Sequence, residues 1–399
     1  MEDTSLRMSL FFVMLNALTV TGIICLAAWL WLTLGQGLFW RVRGKPPARS
    51  RSNSVPKIAA VIPARNEADV IASVLRSLCA QKNIEMQIYV VNDASTDGTA
   101  EVVRKSAARG ESEVAITLIE GKALVPGWTG KLWAMEQGIQ RAKEGQHEWL
   151  LLADADVEQG PDSIATLAAI AEAGHYDLAS YMVRLHCESP AEKMLIPAFV
   201  YFFFKLYPPA WVRNPLAVTA GAAGGCILVR TSALERAGGI STIRGALIDD
   251  CSLAALVKKS GGRIWLGLGD ESYSLRRYPQ FADIEQMVAR TAFYQLHHSF
   301  WLLLGTILGM TLLYLAPPML VASGRFVPMM LGGVAWALMS FTYCDLVGYY
   351  KLPSWRALTL PAAALFYLGA TVHSAIKYWS GTGGEWKGRS QDAGRANDH

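Results

Sequence analysis

Charge is scarce in this chain. Asp, Glu, Lys and Arg make up 18% of its 399 residues, against 52% apolar residues. That balance excludes an ordinary soluble enzyme of this size. Charge is absent altogether from Met8 to Trp40, from Thr291 to Gly324, from Phe326 to Cys344 and from Ala357 to Ile376. Cysteine is sparse and scattered, at Cys25, Cys79, Cys187, Cys226, Cys251 and Cys344, with no CxxC pair. There is therefore no sign of a disulfide framework or a structural zinc site, and these look like packed, reduced thiols. The seven histidines show no HExxH or other metal spacing. No internal repeat is visible. The net charge of +4 is too modest to indicate a polyanionic partner.

A bilayer core is crossed by a helix of roughly 20 apolar residues, so each charge-free run is long enough to span. The first is too long for a signal-peptide core and has no small-residue cleavage site before its basic flank, so it is an uncleaved anchor. Arg41, Arg43, Lys45, Arg49, Arg51 and Lys57 follow it with no acid among them. Positive charge stays on the cytoplasmic side, which places the middle of the chain in the cytoplasm. The same stretch carries Pro46, Pro47 and Pro56 and serves as a tether. Beside a span, such a stretch meets anionic headgroups, so the bilayer is the partner and no nucleic acid is expected. If all four runs span, an outside N-terminus puts the C-terminus outside too. The tail, with Lys377, Lys387, Arg389 and Arg395, prefers the inside, which leaves room for one re-entrant run.

Between Lys57 and about Arg290 short apolar runs alternate with helical patterns. Strands are expected at Ile58–Ile62, Met86–Val91, Val114–Ile119 and Trp149–Ala153. Helices are expected at Glu67–Leu78, Thr99–Ala108 and Lys131–Lys143. This β-α-β-α-β order argues for a mostly parallel α/β sheet. Residues 193–213 hold eleven uncharged residues, Met194–Phe204, between Lys193, Lys205 and Arg213. That is too few to cross. The aromatic content and basic flanks favour an interfacial helix over a core helix.

Asp154-Ala155-Asp156 follows the apolar run Trp149–Ala153. Ligands of α/β sheets gather at the carboxyl ends of strands. Two carboxylates one residue apart can converge on a hard cation that keeps positions open for phosphates. The plain alternative is a solvated loop. Polar clusters at two more strand ends, Pro63-Ala64-Arg65-Asn66-Glu67 and Asn92–Thr99, favour a nucleotide site. Asp and Ser there can also be simple helix caps. Gly221–Gly225 precedes a strand at Ile227–Val229, where glycines permit close backbone approach. Asp249-Asp250 opens a helix, as dipole partner or as general base.

The order PARNE, NDASTDGT, GWTGKLWAM, DAD and GGCILVR…IDDCSLA resembles the family 2 glycosyltransferases with a GT-A fold. The resemblance covers roughly Lys57 to Ser299. The GWTGKLWAM segment and RTAFYQLHHS at 290–299 are most similar to the bacterial hopene-associated glycosyltransferases. The resemblance implies that Pro63, Ala64, Arg65, Asn66, Glu67 and Asp93 hold the base and ribose of a nucleotide sugar, with a UDP-sugar expected. Lys131 then lies near the diphosphate. Asp154 and Asp156 match the DxD motif for Mg2+ or Mn2+, with Asp156 the direct ligand. Asp250 matches the catalytic base and Asp249 its partner. The family's Gln-x-x-Arg-Trp motif survives only as Arg290, with Met287 and Thr291 in place of Gln and Trp. Residues 384–389 resemble a tail segment that returns toward the site.

The expected organisation is an anchor at 1–40, a basic tether at 41–56, a GT-A catalytic domain at 57–290, a C-terminal transmembrane region at 291–379 and a polar tail at 380–399. The expected function is an inverting, metal-dependent transfer of a sugar to a membrane lipid, hopanoid-related in the resemblance. The site would sit at the cytoplasmic face of a bacterial inner membrane. The alternatives are a polyprenyl-phosphate acceptor, or a non-catalytic scaffold of a lipid pathway.

Overall fold

A computed structural model describes residues 2–42, 55–108, 113–381, 385–386 and 389–390. Most of the basic tether and half of the segment 384–389 lie outside the described residues. The chain divides into two compact units. One comprises Gly44–His186, Pro209–Arg277 and Gly383–His399, and the other Met1–Arg43, Cys187–Pro208 and Tyr278–Thr382.

The first unit is built on one sheet of eight strands: β1 (Lys57–Ala64), β2 (Glu85–Asn92), β3 (Ala115–Glu120), β4 (Trp149–Ala153), β5 (Val157–Gln159), β6 (Leu178–Arg184), β7 (Cys226–Arg230) and β8 (Ile264–Ser274). Their order is β3-β2-β1-β4-β7-β6-β8-β5. The first four strands are mutually parallel, as the βαβ pattern predicts. The other half is mixed, because β7 runs antiparallel to both β4 and β6 while β6 and β8 are parallel. Every residue of β4 is buried, which explains its unbroken apolar run. In register, Ala64 lies opposite Asn92 and Val61 opposite Leu152, so the loops after β1, β2 and β4 leave the same edge.

The helix Gly130–Ala142 covers β1 and β2 through Gly138. A Cβ there would stand 2.4 Å from Val61 Cγ1 and 3.0 Å from Val91 Cγ2. Only glycine lets this helix come so close. The helix expected at Glu67–Leu78 starts later, spanning Ile71–Cys79. The cause is local. Glu67 donates its N–H to Thr99 Oγ1 at 2.9 Å and Ala68 donates to Asp97 Oδ2 at 2.9 Å, so the loop after β2 takes hydrogen bonds that shape this segment.

The second unit is helical. Among the described residues of the whole chain, five helical segments could by length and composition alone cross a membrane: Asn16–Leu34, Pro190–Arg213, Phe300–Ala322, Phe326–Tyr349 and Ser354–Trp379. Several polar groups of the second unit are met by other segments of the same unit. A π-helical stretch at Thr311–Leu315 leaves carbonyls that accept from Cys25 Sγ, at 3.1 Å from Leu312 O, and Trp29 Nε1, at 2.8 Å from Leu313 O. Pro197 cannot donate to Lys193 O, and Arg356 Nη1 does so instead at 3.4 Å.

The expectation that residues 193–213 are too short to cross needs correction. Lys193 and Lys205 lie inside the helix Pro190–Leu206, and with the next helical turn the segment reaches 24 residues. It starts at a capping box between Ser189 and Glu192, and the buried Glu192 carboxylate also accepts from Tyr278 N at 2.7 Å. Connectivity still rules out a single crossing. Leu178 of β6 pairs with Val229 of β7 on the far side of this helix in sequence, and one sheet cannot straddle a bilayer. The division after Arg277 groups Tyr278–Ala289 with the helical unit.

Candidate functional site

The loops at the carboxyl edge of β1 and β2 interlock. Asp93 donates its N–H to Ala64 O at 2.8 Å. Arg65 Nη1 donates to Asp93 O at 2.7 Å and lies 3.7 Å from Asp93 Oδ2. Asn66 stands at φ +52°, the left-handed region that Asn tolerates. Its N–H donates to Ser95 Oγ at 3.0 Å and its Oδ1 accepts from Thr96 N at 2.8 Å. Asp97 accepts from Thr99 N at 3.0 Å and caps the helix Thr99–Ala108. Pro63 and Ala64 end β1 and are buried with it.

The central cluster joins three elements. Gly130 and Lys131 open the helix that follows the loop containing Gly127, Trp128 and Thr129. Gly127 has φ +83°, and the Trp128 ring meets Trp133 edge-on. Lys131 Nζ lies 2.8 Å from Asp154 Oδ1 after β4 and 2.9 Å from Asp249 Oδ2. Burial alone would push the Lys131 ammonium's pKa down. Its ion pairs with Asp154 and Asp249 outweigh that and hold it above the ordinary lysine value.

Asp250 is the next residue on the helix Asp249–Lys259. Its Oδ2 accepts from Gly224 N at 2.9 Å and its Oδ1 from Cys251 N at 2.7 Å. Burial and the neighbouring Asp249 push its carboxyl up to about 6, against Lys131 and the two backbone donors. A carboxylate poised there suits a proton acceptor near neutral pH. Gly224 forms the floor. A Cβ on it would lie 3.4 Å from Lys131 Nζ, 3.5 Å from Asp250 Oδ2 and 3.6 Å from Asp154 Oδ2. The helix is anchored at its other end by Lys258 Nζ, which donates to the carbonyls of Trp211, Val212 and Thr219 at 3.2, 2.9 and 2.7 Å.

Asp156 faces a different cation. Arg276, two residues past β8, donates Nε to Asp156 Oδ2 at 2.7 Å and Nη2 to Glu67 Oε1 at 2.9 Å. This residue escapes the sequence motifs; its only signal is an Arg-Arg pair directly after a strand. Among the described residues no three His, Cys, Asp or Glu side chains form a ready metal cluster. The two oxygen donors of Asp154 and Asp156 fit a hard cation that completes its shell with phosphate oxygens and water. Arg290 lies in the helical unit, exposed at the end of the helix Phe281–Ala289, and is not among the residues the sheet brings together.

Residues 56–291 match the family described as glycosyltransferase like family 2. An undecaprenyl-phosphate 4-deoxy-4-formamido-L-arabinose transferase of Pseudomonas savastanoi is 27% identical over 121 residues, 30% of this chain and 33% of that protein. A 4,4'-diaponeurosporenoate glycosyltransferase of Staphylococcus aureus is 32% identical over 120 residues, 30% of this chain and 29% of that protein. The chain thus spans about a third of the length of the curated relatives it matches. A mannosyltransferase from Pyrobaculum calidifontis, solved with GDP-Man and Mn2+, shares the fold at TM-score 0.53 and 18% identity, over 91% of this chain and 99% of that one.

Proposed function

This chain belongs to the glycosyltransferase like family 2, and from that premise we propose that it is a membrane-bound inverting glycosyltransferase. It moves a sugar from a nucleotide sugar onto a lipid hydroxyl at the cytoplasmic face. The observation that carries this reading is the cluster itself. Lys131 bridges Asp154 and Asp249, and Asp250 stands beside them on the same glycine floor.

Each group has a role in one displacement. The acceptor hydroxyl passes its proton to Asp250 as its oxygen attacks the anomeric carbon. The bond from that carbon to the nucleoside diphosphate breaks, and the configuration inverts. Asp250 is held for this by the N–H groups of Gly224 and Cys251, which fix both carboxylate oxygens. Lys131 opposes the negative charge that grows on the departing diphosphate. Asp154 and Asp156 are the residues that would hold a Mg2+ or Mn2+ ion, which supplies further charge neutralisation of that diphosphate. The interlocked loops of Arg65, Asn66 and Asp93 offer a rigid rim for base and ribose.

The lipid acceptor is supported by the five long apolar helical segments and by the relatives, whose names are those of enzymes acting on undecaprenyl phosphate and on a diaponeurosporenoate. A hopanoid is one acceptor within this class. The name of the first relative favours a second reading, a polyprenyl phosphate as acceptor. A phosphate oxygen is already ionised and needs no base, so the two readings part at Asp250. The test incubates membranes with a panel of labelled nucleotide sugars and identifies labelled lipid by mass spectrometry. A labelled lipid supports the proposal, and no labelled lipid from any donor overturns it.

A further inference from the structure

We propose that Arg276 is a built-in counter-ion that competes with the divalent cation for Asp156. The site is thus closed to metal alone and opens when metal arrives with a nucleoside diphosphate. This rests on the metal-binding reading of Asp154 and Asp156. The structural basis is the bridge from one guanidinium to two carboxylates of different strand-end motifs. Nε lies 2.7 Å from Asp156 Oδ2, and Nη2 lies 2.9 and 3.2 Å from the two oxygens of Glu67. Asp156 and Glu67 are only 12% and 11% exposed at their side chains, so neither charge is well solvated without a partner. The bridge is also fixed in the backbone. Leu275 donates its N–H to Asp156 O at 2.8 Å, which delivers the next residue, Arg276, directly onto the carboxylate.

A carboxylate already paired with a guanidinium is a poorer ligand for a dication. A cation on either oxygen of Asp156 stands a few ångströms from the Arg276 charge and is repelled by it. The second aspartate is in a similar state, since Asp154 Oδ1 is held by Lys131 at 2.8 Å. The free site thus carries its own cations in place of the metal's two charges. A nucleoside diphosphate changes the balance, because its oxygens supply new anionic partners for Lys131, Arg276 and the metal together. Metal and nucleotide should therefore bind with strong positive linkage.

The test measures Mn2+ binding by electron paramagnetic resonance on the purified full chain in nanodiscs, first with Mn2+ alone and then with Mn2+ plus UDP. Replacing Arg276 by Gln removes one charge-assisted hydrogen bond to Asp156 and the repulsion. It should tighten binding of Mn2+ alone by about tenfold. The gain that UDP adds should shrink accordingly. Arg276→Lys keeps the charge and should stay near the parent, and Arg277→Gln should change neither value. Thermal melting of each variant separates loss of fold from loss of competition. Unchanged or weaker Mn2+ binding in a folded Arg276→Gln protein overturns the inference, since Arg276 then only orients Asp156. Absence of Mn2+ binding in parent and variants, with and without UDP, removes the metal reading and the inference with it.

Discussion

Gly224 gives its backbone N–H to Asp250 Oδ2 at 2.9 Å, so the residue that has no side chain holds the one proposed to take the proton. A methyl group at position 224 meets Lys131, Asp250 and Asp154 at 3.4 to 3.6 Å, ordinary contact distances that the fold tolerates. It fills the space between them with an apolar group. Gly224→Ala should melt near the parent temperature and lose about 10–100-fold in turnover, the cost of misplacing reacting groups by a fraction of an ångström to about 1 Å. Parent-like turnover would show that no substrate atom needs that floor.

Asp250→Asn keeps the shape and removes the basicity. Turnover should fall by about 10²–10⁴-fold, the usual worth of positioned base catalysis, with nucleotide affinity nearly intact in a titration with UDP. Retained transfer points instead to an acceptor that needs no base, such as a lipid phosphate. Loss of UDP binding means Asp250 is structural.

The pH profile carries the same assignment. Asp250 must be ionised to act, so turnover should rise with pH through about 6 and then level off. Asp249 raises the Asp250 pKa and Lys131 lowers it. Asp249→Asn should therefore move the rising limb to lower pH, and Lys131→Gln should move it to higher pH. Initial rates across the pH range locate the limb in each variant. A limb that stays in place in both variants excludes Asp250 as its source.

Asp156→Asn should abolish transfer while the protein still folds and inserts. Excess EDTA should do the same to the parent, with activity restored by Mg2+ or Mn2+. Near-normal turnover of the variant, or full activity in EDTA, would falsify the metal assignment.

Residues on both sides of the helix Pro190–Leu206 belong to one sheet, so they share one face of the membrane. Cysteines introduced at Asn83 and Thr242, both exposed, should resist an impermeant thiol reagent in intact cells and react after lysis. Labelling of both before lysis reverses the proposed orientation. Labelling of only one contradicts the sheet.

Elements with strong local signals were legible in the sequence. Trp149–Ala153 is β4 with the expected ends, and Thr99–Ala108 is the expected helix, because burial and an Asp97 cap fix them locally. The grouping of Lys131, Asp154, Asp249 and Asp250 was legible only through motif resemblance, since three separate segments deliver them. Arg276 was not legible, because what matters is that a strand end 120 residues downstream passes beside Asp156. The late start of the helix at Ile71 has the same origin. The N–H groups of Glu67 and Ala68, just ahead of it, donate to Thr99 and Asp97, partners from another loop.

The interruption of the sheet by an apolar helix also sets an order of events during synthesis. β1 to β4 are complete by Ala153 and can pair through short βα connections as they emerge. β7, which sits between β4 and β6, lies beyond Pro190–Leu206 in the chain. Until β7 is made, the β4 edge has no partner on that side, and an apolar helix is synthesised in between. Chains stalled or cut between Leu206 and Cys226 would expose the fully buried strand Trp149–Ala153 at an open edge, the kind of edge that recruits other strands. In chain order, that helix thus comes before the strand that covers the β4 edge.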